Sequence, residues 1–244
     1  MKKIKIAGFQ KNSFIDYPGK IAAVVFLGGC NFACHYCHNS KLLSAESNTI
    51  DFMDEVLPQI REQIGFIDGV VISGGEPTTH PNLLQIVRAV KKLGLLVKLD
   101  TNGSNSEILR ELTDKKLVDF VAMDIKAPPE CYHKIVGTFE IASSQAPRKD
   151  APCLDEIKKS VDYLKSADID YMFRTTLSPL LTEKDFEKIG ELVHGAKLFH
   201  VQQFVANDFS NSHSTVRLPH SLQTAKKIEE ILAKHCEKVV LRGF

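Results

Sequence analysis

Three cysteines, Cys30, Cys34 and Cys37, fall within eight residues, in the stretch Gly-Gly-Cys-Asn-Phe-Ala-Cys-His-Tyr-Cys-His-Asn. Thiolates are soft ligands, and a cubane iron–sulfur cluster normally takes four of them, one per iron. A loop that supplies three leaves one iron without a protein ligand, and an open iron can bind a small molecule. The spacing therefore points to a site for chemistry more than for electron storage. Zinc is a second reading, with His35 or His38 as the fourth ligand. Structural zinc sites usually pair two short Cys/His clusters, however, and the sequence has no second cluster. Plain buried thiols are a third reading.

Further polar constellations lie downstream. Gly74-Gly75-Glu76-Pro77 combines glycines, which let a ligand approach the backbone closely, with a carboxylate suited to an ammonium group. By itself it could be only a tight turn. Asp100-Thr-Asn102-Gly and Asp124-Ile-Lys126 bring carboxylates and a lysine. The bland alternatives are a turn cap at Asp100 and a solvated Lys126. Arg174 could hold a ligand carboxylate or make a surface ion pair. Upstream, Asp16-Tyr-Pro-Gly19 could be a Pro-Gly turn with Asp16 as its local cap.

The elements that must position these residues alternate in type. Apolar, β-branched runs predict strands at Ile21–Leu27, Val70–Ser73, Leu95–Asp100, Phe120–Ile125, Tyr171–Thr176 and Leu198–Phe204. Phe52, Val56, Ile60 and Ile64 recur every fourth position before Gly65, predicting a helix with Gly65 near its C-cap. A second helix begins at Pro81, carries Leu83, Leu84, Val87 and Val90, and stops at Gly94. Leu154, Ile157, Val161 and Leu164 stripe a third. Thr182 and Asp185 resemble an N-cap before Phe186, Ile189 and Leu192.

Six β-then-α repeats predict an α/β fold with parallel strands inside and helices outside. Six units are too few for a closed eight-fold barrel of ~250 residues, so a partial (β/α)6 barrel is expected. Short strands near Ile4–Gly8 and Lys238–Leu241 are expected to extend its edges. The irregular segment Ala127–Ala151 is expected to form a lid or surface excursion. The Cys30 loop, Gly74–Pro77, Asp100–Gly103, Asp124–Lys126 and Arg174 each close a predicted strand. Ligands bind at the carboxyl ends of strands in such folds.

Composition bounds the rest. The 244 residues are 43% hydrophobic and 25% charged, with a formal net charge of +1. No bulk attraction to nucleic acid or to an anionic membrane follows from that balance. No apolar run approaches the ~20 residues of a membrane helix, and the N-terminus lacks the apolar core of a signal peptide. A reducing, cytoplasmic setting is expected, where clustered thiols more often bind metal than form disulfides. Cys131, Cys153 and Cys236 read as ordinary thiols. His194, His200, His213, His220 and His235 show no metal-ligand spacing, and His213 lies in a polar loop, Asn207–Pro219.

The pattern Cys-x3-Cys-x2-Cys, with Tyr36 before the last cysteine, resembles the signature of the radical S-adenosylmethionine (SAM) superfamily. That resemblance implies one 4Fe-4S cluster on Cys30, Cys34 and Cys37, with SAM chelating the open iron. It implies a single radical SAM domain over residues 1–244, with a core of about 20–205, an N-terminal substrate-side segment and a C-terminal helix–strand extension. It assigns Tyr36, Gly74, Gly75, Glu76, Asp100, Asn102, Asp124, Lys126 and Arg174 to SAM. Glu76 would meet the methionyl amino group, and the carboxylates and Lys126 the ribose hydroxyls and SAM carboxylate.

Ser-Phe-Ile-Asp-Tyr-Pro-Gly, Leu-Asp-Thr-Asn-Gly, Ala-Met-Asp-Ile-Lys-Ala-Pro and Phe-Arg-Thr-Thr narrow the resemblance to the glycyl-radical-enzyme activating family. Within it, these features together resemble the activating proteins of anaerobic ribonucleoside-triphosphate reductase, in their longer subgroup. In this family the carboxylates can also hold a monovalent cation beside SAM, and an Asp at the position of Asp16 helps grip the glycine-bearing loop of the partner. Pyruvate formate-lyase activating enzymes carry a SAM-contacting His after the sixth strand. Here the sequence is His200-Val-Gln-Gln-Phe204, which points to Gln202 or Gln203 instead, with Gln202 the preferred contact.

The implied chemistry begins with one electron from a flavodoxin- or ferredoxin-like donor. Cleavage of SAM gives a 5′-deoxyadenosyl radical that takes a hydrogen atom from a glycine α-carbon of the partner enzyme. The alternatives are a pyruvate formate-lyase-type activase and a radical SAM enzyme acting on a small molecule, such as a deazapurine synthase.

Overall fold

The computed structural model describes residues 3–34, 36–37, 39–137, 152–205 and 219–244, the side chains of residues 152 and 153 excepted. In chain order the elements are β1 (Lys5–Ile6), β2 (Gly8–Tyr17), β3 (Lys20–Leu27), β4 (Ile50–Asp51), α1 (Leu57–Glu62), β5 (Gly69–Gly74), α2 (Leu83–Lys91) and β6 (Leu96–Thr101). They continue with α3 (Ser106–Asp114), β7 (Phe120–Asp124), α4 (Tyr132–Val136), α5 (Pro152–Ser166), β8 (Asp170–Leu177), α6 (Glu183–Leu192), β9 (Phe199–Gln203), α7 (Leu222–Leu232) and β10 (Val239–Arg242). The main sheet has the strand order β10-β9-β8-β7-β6-β5-β3-β2. Pairing is parallel between β3 and β5, β5 and β6, β8 and β9, and β9 and β10.

The chain forms two compact units, one of residues 1–31, 41–101 and 107–121, the other of residues 32–40, 102–106 and 122–244. In the first, β3 and β5 are apolar on both faces: Ala22 to Val25 and Val70 to Ile72 are all buried. That double burial explains why they read as continuous hydrophobic runs and not as alternating ones. Helix α2 buries Leu83, Ile86, Val87 and Val90, spaced at i, i+3, i+4 and i+7, so a single apolar stripe meets the core.

Two expectations in this unit need correction. The N-terminal edge is not a strand at Ile4–Gly8. Strand β1 pairs antiparallel with β4 in a separate two-stranded sheet. The edge is β2, which pairs antiparallel with β3 through the Pro18–Gly19 turn. Strand β2 carries no apolar run because it has an open edge, and its register shifts between Gln10 and Ser13 and again before Tyr17. Such irregularities break the period-2 pattern on which strand prediction rests. The second correction concerns the first helix. Phe52–Val56 form a wider turn, with Asp51 Oδ1 accepting from Met53 N and Asp54 N, both at 3.0 Å. Helix α1 follows and ends at Glu62, leaving Ile64 exposed beyond it. The fourfold spacing therefore continued past the point where the chain leaves the helix.

In the second unit, α5 buries Ile157, Val161 and Leu164, and α6 buries Phe186 and Ile189. The predicted cap of α6 is present: Asp185 Oδ2 accepts from Thr182 N and from Thr182 Oγ1, each at 2.7 Å, which satisfies the backbone at the helix start. Strand β10 extends the sheet edge as expected. Of Ala127–Ala151, residues 138–151 lie outside the described residues, and so does His213; the described part holds α4. Among the described residues no helix is long and apolar enough to cross a membrane.

Candidate functional site

In the first unit, the ends of β3 and β5 meet at the start of the cysteine loop, and the end of β6 is tied to the turn after β5. Strand β3 ends at Leu27, and the next residues are pinned by the chain that follows. Gly28 N donates to Asn48 Oδ1 at 2.8 Å, while Asn48 Nδ2 donates to the Gly28 carbonyl at 3.0 Å. Gly29 N and Cys30 N donate to the carbonyls of Leu42 and Leu43 at 2.8 and 3.1 Å. The end of β5 is laid against this loop. Gly75 N donates to the Leu27 carbonyl and Glu76 N to the Gly29 carbonyl, each at 2.8 Å. The glycines are required by this contact: a Cβ at Gly75 would stand 2.1 Å from the Gly29 oxygen, and one at Gly74 2.2 Å from the Leu27 oxygen. The close approach that the sequence suggests for a ligand is thus made, in the protein itself, by the backbone that carries Cys30.

Glu76 is buried, and its Oε1 accepts from Thr78 N at 3.0 Å, Thr78 Oγ1 at 2.6 Å and Thr101 Oγ1 at 2.7 Å. This oxygen ties the turn after β5 to the end of β6. Asp100, also buried, accepts from Ser73 Oγ at 3.0 Å through Oδ2 and makes an ion pair with Lys98 through Oδ1. Lys98 and Thr101 were not among the candidates read from the sequence. The signal for Lys98 was present, since a lysine inside Leu-Val-Lys-Leu-Asp interrupts a strand otherwise suited to full burial.

Asp16 lies in the same unit. Its Oδ2 accepts from Ser13 Oγ at 2.5 Å, beside the exposed Phe14 and Ile15. The register sets Tyr17 opposite Lys20 and Gly8 opposite Phe26, so Asp16 stands at the N-terminal end of β3. Cys30 follows the other end, and the strand between them spans about 25 Å. Closeness in sequence to the triad does not become closeness along this hairpin.

The second unit holds the rest of the triad. Ala33 N donates to the Val136 carbonyl at 2.8 Å, and Cys37 N to the Cys34 carbonyl at 3.0 Å. Phe32 packs edge-on against Tyr132 with centroids 6.5 Å apart. Buried Tyr36 donates its hydroxyl to the Lys126 carbonyl at 2.8 Å, while Lys126 N donates to Tyr132 Oη at 3.2 Å. Two tyrosines thus clamp the backbone of Lys126 beside the cysteine loop. Burial pushes the Cys34 thiol up to about 11, against a smaller opposing effect of Lys126, and burial also raises Cys37.

Asp124 anchors the charges here. Lys126 Nζ approaches its Oδ2 at 2.8 Å, and Arg174 grips Oδ1 through Nε and Oδ2 through Nη2 at 3.4 Å. Burial would raise the Asp124 pKa, but Arg174 and Lys126 outweigh it and hold the carboxyl well below the usual range. The sign follows directly. A depressed carboxyl contributes stability that is present above its unfolded pKa, near 4, and is lost as pH falls toward the folded value. Asp124→Asn should cost about 2 kcal/mol at pH 7, because two partly buried cations lose their counter-charge. Urea unfolding checks this: the deficit should shrink at pH 3, and an equal deficit at both pH values would refute the coupling.

Asn102 is buried and accepts from Ser104 N at 2.9 Å. On β9 the register sets His200 beside Arg174 and Gln202 beside Thr176, so Gln202 shares the face that bears Arg174. Gln203 donates to the His220 carbonyl at 3.0 Å and accepts from Phe204 N, whereas Gln202 is exposed.

By residue type the three thiols are the soft ligands that a cluster takes. All three thiols are partly exposed and outside any disulfide, on loop backbone fixed by hydrogen bonds. A thiol held neutral by burial, as Cys34 is, becomes a thiolate when a metal replaces its proton. Among the described residues no group of three or more His, Cys, Asp or Glu is arranged to hold a metal ion, and His35 and His38 lie outside the described residues. Cys131 and Cys236 remain ordinary thiols, raised chiefly by burial.

Comparison with known proteins gives a consistent result. The family described as the radical SAM superfamily matches residues 24–193. A Methanocaldococcus jannaschii protein provisionally named a glycyl-radical enzyme activating enzyme is 33% identical over 98% of this chain and 96% of its own. A pyruvate formate-lyase-activating enzyme of Streptococcus mutans is 30% identical over 78% of this chain and 71% of its own. Among solved structures, Streptococcus suis SuiB bound to S-adenosylmethionine superposes with a TM-score of 0.60 at 15% identity. It covers 88% of this chain, which spans about half (48%) of that one. The likeness is one of fold, and it bears out the partial barrel of parallel strands with helices outside.

Proposed function

The chain belongs to the radical SAM superfamily, and from that premise we propose that it generates a glycyl radical on a partner enzyme, anaerobic ribonucleoside-triphosphate reductase. The observation that carries this reading is the near-full-length match to a protein named for glycyl-radical activation, beyond the barrel core common to the superfamily.

In this reading Cys30, Cys34 and Cys37 hold a 4Fe-4S cluster. Together with SAM, the cluster supplies the low-potential electron transfer that starts radical chemistry. The chain's own residues bind and orient. The segment Gly74–Glu76, braced on the Cys30 loop, sets the β5 end beside the methionyl group. Asp100, Asn102, Asp124, Lys126, Arg174 and Gln202 take the ribose and carboxylate of SAM, and Tyr36 fixes the position of the Lys126 backbone. Orientation of this kind holds the reacting groups in line and excludes water. Asp16, on an edge strand with exposed Phe14 and Ile15, helps grip the glycine-bearing loop of the partner. A flavodoxin- or ferredoxin-like protein delivers the electron.

The test is anaerobic incubation of reconstituted protein with SAM, reductant and the reductase, read by EPR. A doublet that collapses when the partner is made with α-deuterated glycine is expected. SAM cleavage without any radical on the reductase would overturn the assignment of partner. SAM cleavage coupled to a modified product of a nucleoside-type small molecule, with no radical on the reductase, would do the same and would point to the small-molecule reading.

A further inference from the structure

Lys98 is a lysine in the interior of a strand with 1% of its surface exposed. Its ammonium makes an ion pair with Asp100 Oδ1, while Ser73 Oγ donates to Oδ2 at 3.0 Å. Lys98 and Asp100 are two apart on β6 and share a face; Lys98 is in register with Val71 of β5, which sets Ser73 next to Asp100. Packing gives no reason for this arrangement. A desolvated ammonium is costly unless paired, and apolar residues often replace a buried ion pair with no loss of stability. What the arrangement does provide is a buried carboxylate held at a strand end, one oxygen by the Lys98 ammonium and the other by the Ser73 hydroxyl. A carboxylate in that setting needs a positive charge beside it, from the chain or from a cation taken up from solution. The resemblance to the activating family allows a monovalent cation at these carboxylates, and Asp100 does not fit that role, because the chain already supplies its partner.

We propose that Lys98 is the resident counter-cation of Asp100, a positioning residue that stands where a monovalent cation would otherwise be drawn, so that this protein binds SAM without one. The proposal rests on the reading of Asp100 as a SAM contact. Lys98→Met keeps the apolar stem and vacates only the ammonium position.

Holoenzyme SAM affinity and apoprotein thermal midpoint are measured in potassium chloride and in choline chloride at equal ionic strength. Wild type should give the same values in both salts. Lys98→Met should lose about tenfold in SAM affinity in choline and regain most of it in potassium, with a midpoint that potassium alone raises. Lys98→Met/Asp100→Asn should show no potassium response, since the carboxylate that draws the cation is gone. Wild-type dependence on potassium, or a Lys98→Met protein with equal values in both salts, would overturn the proposal. So would failure of Lys98→Met to fold in either salt, because the cation would then be unable to replace the ammonium. If Asp100 does not touch SAM, Asp100→Asn will keep wild-type SAM affinity while the midpoint of Lys98→Met still responds to potassium. That pattern separates failure of the SAM reading from failure of the counter-cation.

Discussion

Cys34→Ala protein, reconstituted anaerobically with iron and sulfide, should hold no stable cluster and should cleave SAM at background level. Three thiolates are the whole protein ligand set for a cluster with one open iron, so removing one cannot be compensated within the loop. Cys34 is the most informative of the three. Burial pushes its thiol up to about 11, so near neutral pH it is protonated and a poor nucleophile until a metal displaces the proton. Two measurements follow. Iron and acid-labile sulfide per chain should fall sharply in the variant. In the wild-type apoprotein, alkylation at Cys34 should be slow at pH 7 and speed up as pH approaches 11. Wild-type iron content together with undiminished cleavage in Cys34→Ala would sink the cluster assignment, and zinc in place of iron would turn the site into a structural one.

Gly75→Ala should destabilise the fold by about 3 kcal/mol and lower cluster content with it. The added Cβ would lie 2.1 Å from the Gly29 oxygen, 2.7 Å from the Gly29 carbonyl carbon and 3.0 Å from the Leu42 oxygen. All three are backbone atoms, so no side chain can rotate away. Relief requires pulling the β5 end off the loop, which breaks the bonds from Gly75 N to Leu27 and from Glu76 N to Gly29. Gly8→Ala is the control. Its Cβ would meet only the Phe26 side chain at ordinary contact distance, nearest 3.4 Å, and the change should stay within about 1 kcal/mol. Urea unfolding of the two variants, with iron content on the same preparations, checks the contrast. Equal stability of the two proteins would mean that the loop yields freely, and the rigid bracing of Cys30 described above would be wrong.

These two predictions draw on different sources. The consequence of losing Cys34 could be stated from spacing alone, because ligand count is a property of residue type and order. The consequence of crowding Gly75 could not, because it depends on which backbone lies 2 Å away. Strands β3, β5 and β6 were legible for a similar reason. They are buried on both faces, and their apolar runs have no other use. Strand β2 was not legible, since an open edge with bulges needs no apolar pattern. The first helix was legible in type and wrong in extent: Phe52, Val56 and Ile60 are buried, but Ile64 is not, because the chain leaves the helix at Glu62.

By itself, the sequence determined the chemical class of the site: three soft ligands in eight residues, and carboxylates and cations at the ends of successive apolar strands. Order along the chain is enough for that, since in a β/α fold every strand end reaches the same rim. Only the tertiary structure decided what each polar group is bound to. Glu76 Oε1 serves Thr78 and Thr101, Asp100 meets a buried lysine two residues away, Asp124 gathers Lys126 and Arg174, and Asp16 lies at the far end of β3 from Cys30. The physical reason is that a buried charge or hydrogen-bonding group must find its partner within about 3 Å, and at that range the partner is chosen by register and burial, not by distance along the chain.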